Sequence, residues 1–528
     1  MQRRPFFALA ASAALVLGLG LAPGAWAQTK TLRVVPHANV TILDPVWTTA
    51  FVTRNHGYMI YDTLFGTDLE GRVKPQMVET FSASKDNKVW TFTLRDGLEF
   101  HDGKPVTSED VVASLKRWSS RDSFGGVMAR SLDSYETPNA KTFIVRFKQP
   151  FGVMLEALGK PSSNVPFIMP ARIAATPGSE QIKEYIGSGP YKFVTADYKP
   201  GEKLVYVKND KYKPRTEAPN GTTGGKVVYT DRVEWIVIRD PQTQFNALIA
   251  GEVDIIEQPA FEQYASLKAA KDVQIVDAQP AGLQYIFRFN HLHAPFDNVK
   301  IRQAAMVAMG QEAFLKTQVG APGMFKYCKS IFPCGTPYAS ENTGIYTGMA
   351  NPAKAKQMLA DAGYKGEPIV LMRPTDLASI AKLPLVAKQQ LEAAGFKVDM
   401  QQSDWATLVA RRAKKDPPAA GGWNAFLTAW VTADVMNPIS TAYVNAACDK
   451  ASFGWPCDEK LEKLRDDFAR ETDPAKQKAI AEAVQLRVIE YTPEIPVGEY
   501  VQPVAMRKNV KGFLTSPAPV LWNVEITK

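Results

Sequence analysis

Strand and helix signals alternate along almost the whole chain, and that alternation limits the fold more than any other feature. Residues Val89 to Leu94 and Thr142 to Phe147 alternate apolar and polar side chains with period two, the pattern of strands buried on one face. Leu32 to Val35, Lys226 to Ile238, Gln284 to Phe289, Pro368 to Met372 and Phe396 to Gln401 read as further strands. Helical patterns lie between them. Thr107 with Asp110 three residues on forms a capping box, and Val111, Val112, Leu115 and Trp118 then share one helical face. The spacing predicts helices over 298–318 with Asp297 as N-cap, over 353–362 stopped by Gly363, over 380–394 stopped by Gly395, and over 459–470 and 474–490. Residues 213–225, rich in Pro, Asn, Thr and Gly, predict a surface loop. The fold class expected is α/β with mixed sheets. At 528 residues the chain exceeds one core, so two or three domains are expected.

The N-terminus sets the compartment. Arg3 and Arg4, the apolar run Phe6 to Leu21 and the small-x-small triplet Ala25-Trp26-Ala27 identify residues 1–27 as a cleavable signal peptide. The run is shorter than the ~20 apolar residues a membrane span requires. The arginine pair also fits a twin-arginine signal, so the export route stays open. The first cysteine is Cys328, so no new N-terminal cysteine is available for lipid attachment, and a soluble periplasmic protein is expected. Four cysteines in an exported chain predict two disulfides. Three pairings are open to them, and close spacing favours Cys328–Cys334 and Cys448–Cys457. No Cys-x-x-Cys pair supports a zinc site, and no metal or cofactor is expected.

Charge excludes other functions. The 62 basic residues exceed the 54 acidic ones by eight, and cleavage after Ala27 brings the excess to six. The densest basic block, Arg411-Arg412-Ala413-Lys414-Lys415, reads as a solvated helix end. No basic stripe with interleaved aromatics suggests nucleic acid binding. Motifs of a nucleophilic serine elbow, a zinc protease helix, a phosphate-binding loop and a dinucleotide fold are all lacking, so an enzyme is not expected and a periplasmic hydrolase is the remote alternative. His291-x-His293 is the one close-spaced histidine pair, and it reads as part of a solvated loop.

An ordered set of motifs then points to a family. Leu43-Asp44-Pro45 follows the first strand, and Tyr61-Asp62-Thr63-Leu64-Phe65 follows a helix. After these come Pro75 to Phe81, the long segment Trp90 to Trp118 with its His101-Asp102-Gly103 turn, Gly187-Ser188-Gly189-Pro190-Tyr191, and Pro295-Phe296-Asp297 to Met309. Together they resemble the family-5 extracellular solute-binding proteins of ABC importers, which include receptors for dipeptides, oligopeptides, nickel and glutathione. The resemblance implies a two-lobed periplasmic-binding-protein (Venus-flytrap) fold with a two-strand hinge and an extra domain on lobe I. Carried over, lobe I is 28–62, 187–282 and 500–528, the extra domain is 63–186, and lobe II is 283–499. Such receptors close on a ligand that touches both lobes.

The resemblance also implies a site. The segment Trp430 to Pro438 is similar to one in dipeptide-binding members where an aspartate pairs with the peptide ammonium, which makes Asp434 the pairing group. Asn437-Pro438 departs from the family's usual Asp-Pro. Arg373 aligns with an arginine that takes the C-terminal carboxylate through two parallel hydrogen bonds. Arg288 is its rival, because family members usually carry a small or apolar residue there. Trp47, Thr48 and Thr49 suit main-chain hydrogen bonds to a peptide, and Trp430 and Trp423 suit pocket walls. Cys448 and Cys457 lie where some dipeptide-binding members have a disulfide. The function implied is capture of a short peptide or peptide-like solute and its delivery to ABC importer permease subunits in the inner membrane, by a receptor expected to be monomeric. The alternative is the same role for a nickel chelate, glutathione or an opine.

Overall fold

Leu32 and Val34 set one face of the strand Thr31–Val35 on the main core, and Val35 is buried in a second cluster on the other face. In the computed structural model, which describes residues 30–527, this strand is central to a seven-stranded sheet. The signal peptide expected over 1–27 lies outside the described residues. The sheet runs in the order Tyr191–Phe193, Lys203–Lys208, Arg232–Ile236, Thr31–Val35, Ile255–Ile256, Val504–Arg507, Val273–Val276. Its strands Arg232–Ile236, Thr31–Val35 and Ile255–Ile256 are parallel, and the flanking pairs are antiparallel. A second, six-stranded sheet is ordered Phe325–Lys326, Glu494–Tyr500, Leu283–Phe289, Ala425–Val431, Ile369–Pro374, Val398–Ser403. Its last three strands are again parallel. A third sheet, antiparallel and four-stranded, spans Val78–Phe147 and packs against the helix Ser108–Ser119. The mixed α/β architecture is the one expected.

The chain passes between the two large sheets twice, from Val276 to Leu283 and from Tyr500 to Val504. The two crossings touch. Gly282 has φ +76°, and a Cβ there would lie 2.7 Å from the Tyr500 carbonyl oxygen. Thr432 holds the first crossing from the side: its amide donates to the Gly282 carbonyl at 3.0 Å and its hydroxyl to Ala281 at 2.7 Å.

Several local expectations hold. Thr107 caps its helix with the full capping box, and the cysteines pair as Cys328–Cys334 and Cys448–Cys457. Others need correction. The helix expected over 298–318 is two helices, Val299–Ala308 and Gln311–Gln318, and its N-cap is Asn298, not Asp297. Met309 is extended between them, and Gly310 packs so closely on Ala350 that a Cβ would sit 2.4 Å from its nitrogen. The strand expected over 226–238 shrinks to Arg232–Ile236. Lys226 is instead drawn into a buried ion pair with Asp62 at 2.6 Å, with its ammonium over the Trp522 ring. The loop 213–225 is not wholly superficial. Residues 221–225 are buried, and Thr222 exchanges hydrogen bonds with Thr67.

Gly282→Ala should destabilise the protein by about 1–3 kcal/mol, because it adds a left-handed strain and a backbone clash at the crossing. Gly363→Ala, with φ +74° but open space around its Cβ position, carries only the conformational strain. Urea unfolding of the two variants should show the larger fall in midpoint for Gly282→Ala.

Candidate functional site

Parallel strands leave a crevice at their carboxyl ends, where successive connections depart in different directions. Both large sheets point such ends at one place. From the first sheet, His37 lies just past Thr31–Val35 and Gln258 just past Ile255–Ile256. From the second, Leu377 to Ile380 follow Ile369–Pro374, and Trp405 follows Val398–Ser403. These residues line a cavity of about 40 Å³, closed further by Phe51, Trp430 and Tyr500. A smaller cavity of about 20 Å³ adjoins it, sharing His37 and Phe51 and adding Arg54 and Glu257. The walls thus come from both sheets.

One full charge on these walls has no acidic partner. The helix Trp405–Arg411 is capped at its start by Asp404 and ends at Arg412. Arg412 was expected at a solvated helix end, but it is buried and lines the cavity. The correction has a simple cause. Trp405, Leu408, Val409 and Arg412 are spaced i, i+3, i+4, i+7, so Arg412 continues the buried stripe of its helix. Its Nη2 donates to the hydroxyls of Thr48 at 3.1 Å and Thr49 at 3.3 Å, and the guanidinium lies over Phe453. Nε is buried with no partner, and among the described residues no carboxylate pairs with this side chain. Burial pulls its pKa down to about 9, and the charge of Arg288 adds to the shift.

The loop that meets Arg412 is built from below. Asp44 accepts from the amides of Val46, Trp47 and Ile182, and Arg117 holds both of its oxygens, at 3.0 and 2.7 Å. Thr48 and Thr49 are thereby set against Arg412. Trp47 is turned aside, its indole donating to the Ser179 carbonyl at 3.2 Å. Trp430 does line the cavity, edge-on to Phe51, and its buried Nε1 has no partner. Trp423 lines neither cavity. It is buried behind Arg412, whose carbonyl its indole contacts at 3.1 Å.

Asp434 is buried and lines neither cavity. Its Oδ2 accepts from the Ser162 hydroxyl at 2.9 Å, the same hydroxyl that Arg54 contacts, and Arg54 lines the smaller cavity. Oδ1 has no partner. Burial pushes the Asp434 pKa up to about 7 against the opposing pull of Lys160 and Arg54. Neither arginine singled out for a carboxylate faces the cavities. Arg373 donates to Ala381 and Gln402 at its own sheet edge. Arg288 is buried in the second sheet and paired with Glu494 at 3.1 Å across the strand register. The histidine pair is also divided: His291 bonds the Pro493 carbonyl and His293 that of Lys415.

Comparison with known proteins accords with this geometry. The description of bacterial extracellular solute-binding proteins, family 5 (middle region), matches residues 72–452. The probable peptide ABC transporter periplasmic-binding protein y4tO of Sinorhizobium fredii is 37% identical, with 99% of each chain covered. The glutathione-binding protein GsiB of Escherichia coli O1:K1 is 25% identical over 95% of this chain and 96% of its own. The structure of the binding protein AgaA of A. tumefaciens R10, in complex with agropinic acid, superposes with a TM-score of 0.80 at 24% identity, covering 94% of this chain and 99% of that one. The likeness shows a two-lobed binding-protein fold. No described helix is long and apolar enough to cross a membrane.

Arg117→Met leaves Asp44 buried with its charge unpaired, which costs about 3–5 kcal/mol. Chemical denaturation should show that loss, and the loop bearing Thr48 and Thr49 should become accessible to protease before the rest of the chain.

Proposed function

The chain belongs to family 5 of the bacterial extracellular solute-binding proteins, and from that premise we propose that it is the periplasmic receptor of an ABC importer for a short peptide or peptide-like solute. The observation that carries this reading is Arg412. A buried guanidinium without an acidic partner is costly, and a carboxylate from outside the chain removes the cost with a charge-assisted hydrogen bond. Asp434 is the complementary group. Its free Oδ1 and raised pKa suit a carboxylate that awaits an ammonium. Thr48, Thr49 and the indole of Trp430 supply polar contacts between the two ends. In this reading the segments 28–62, 187–282 and 500–528 act as lobe I carrying the domain 63–186, and 283–499 act as lobe II. The crossings after Val276 and Tyr500 are the hinge. The receptor works as a monomer, without catalysis, and presents its closed form to permease subunits in the inner membrane.

The small enclosed volume favours a compact solute. A dipeptide fits that description, and so do glutathione and agropinic acid, the ligands named for two of the relatives. Native mass spectrometry of the protein purified from periplasm, before and after unfolding and refolding, tests the reading. A bound mass of a short peptide or an amino-acid conjugate that vanishes on refolding supports it. A bound sugar or metal chelate lacking a carboxylate would overturn it.

Two further outcomes are expected by isothermal titration with the ligand so identified. Arg412→Ala should weaken binding by about thirtyfold or more, as loss of one partner of a buried charge pair does. Affinity should also depend on pH through Asp434. Its pKa is about 7 without ligand and falls when an ammonium arrives, so binding below that value releases a proton. Affinity should therefore rise from about pH 5.5 towards pH 7 and level off above it. Asp434→Asn should flatten that rise.

A further inference from the structure

The lobe I wall of the cavity carries a second polar couple, His37 and Glu257. Glu257 is buried and well supplied with donors. It accepts from the His37 amide at 2.9 Å and the Asn55 side chain at 2.8 Å, and it stands 2.8 Å from His37 Nδ1. Burial opposes its ionisation, but His37 and then Arg54 outweigh that and hold its carboxyl below the usual range. Glu257 is thus an anion already satisfied. Its place beside Nδ1, together with its bond from the His37 amide, holds that residue against the lobe I wall. His37 lines both cavities and so sits where they meet. Among the described residues, its Nε2 has no hydrogen-bond partner.

The cavity walls therefore offer more donors than acceptors. Arg412 Nε and Trp430 Nε1 are buried without partners, and both residues line the same cavity as His37. Among the groups that line the cavities, Arg54 and Arg412 face the single carboxylate of Glu257. One carboxylate on the solute offsets Arg412 and leaves the His37 side unmatched. We infer that His37, oriented by Glu257, is a specificity-determining residue for a second acidic group, so that the preferred solute is a compact amino-acid derivative with two carboxylates. In that role the ring faces Glu257 with Nδ1 and meets the solute's acid group with Nε2. This assignment rests on the reading of the cavity as the solute site.

Titration of Ala-Glu against Ala-Gln separates the two ideas, because the peptides match in size and differ by one acid group. The wild type should prefer Ala-Glu by roughly ten- to a hundredfold, the range of a hydrogen bond to a charged group. His37→Gln should bring the two affinities to within about threefold of each other, with the loss falling mainly on Ala-Glu. His37→Asn provides the same comparison if the first variant lowers the unfolding midpoint. Equal affinity of the wild type for both peptides, or an equal loss of both in the His37 variants, overturns the role of His37 and leaves the Arg412 site standing. If Arg412→Ala weakens neither peptide, or the wild type binds neither, the reading of the cavity fails and this inference fails with it.

Discussion

The buried ion pair between Asp44 and Arg117 is the contact on which the site depends. Both side chains are shielded from water, so the pair is tolerable only because its remaining hydrogen-bonding capacity is filled. It is filled well. Three backbone amides and two guanidinium nitrogens converge on the Asp44 carboxylate, and Arg117 also reaches the carbonyls of Thr176 and Glu180. Asn164 fixes the loop from the other side, donating to the carbonyls of Pro45, Val46 and Thr48. Three stretches distant in sequence thus lock one short turn. The only freedom left to Thr48 and Thr49 is to meet whatever the second sheet presents, and it presents Arg412.

Two arginines near each other in the second sheet's neighbourhood have opposite fates. Arg288 is placed by strand register opposite Glu494, and the two charges offset one another inside the protein. Arg412 comes at the end of a helix where no acid is in register with it. Its partners are two hydroxyls and an aromatic face, which stabilise a guanidinium without neutralising it. The first arrangement holds the sheet together. The second leaves a charge unmatched in an enclosed space.

What could be read from the sequence was local. The capping box at Thr107, the glycine stops at Gly363 and Gly395, and the period-two strands all depend on neighbours within a few residues. Even the disulfides followed from short spacing. What could not be read was tertiary. The helix pattern over 298–318 breaks at Met309 and Gly310, where Gly310 packs against Ala350, and Lys226 leaves a strand for its ion pair with Asp62. The site shows the same division. Motif position points to the loop of Thr48 and Thr49, which meets Arg412, to Trp430, which lines the cavity, and to Asp434, which does not. The cavity's own cation was overlooked because five residues with four charges look solvated, although the apolar stripe from Trp405 through Leu408 and Val409 leads directly to Arg412. Family resemblance points to Arg373, and a departure from the family points to Arg288. Neither of those says which way a side chain at a sheet edge or within a doubly buried sheet will turn.

In the proposed receptor, an unmatched charge in the cleft also accounts for a two-lobed molecule that does not stay shut. Some contacts that bridge the cleft belong to the site itself, such as Ser162 with Asp434 and Thr48 and Thr49 with Arg412, and others lie away from it. Ser123 donates to the Ile439 carbonyl, and Arg130 meets Glu462 and Asp466 at the surface, as Lys382 meets Glu262. Exposed pairs of that kind contribute about 0–1 kcal/mol each. Closing the cleft on nothing buries Arg412 with an empty Nε, Trp430 with an empty indole nitrogen and Asp434 with an empty oxygen. In the proposed receptor, those unfilled groups count against the closed state without solute. A solute that supplies acceptors to the first two and a cation to the third interacts with the closed form far better than with the open one, and only such a difference can shift the equilibrium. In the proposed receptor, the same unpaired groups decide both which solute is held and when the lobes close.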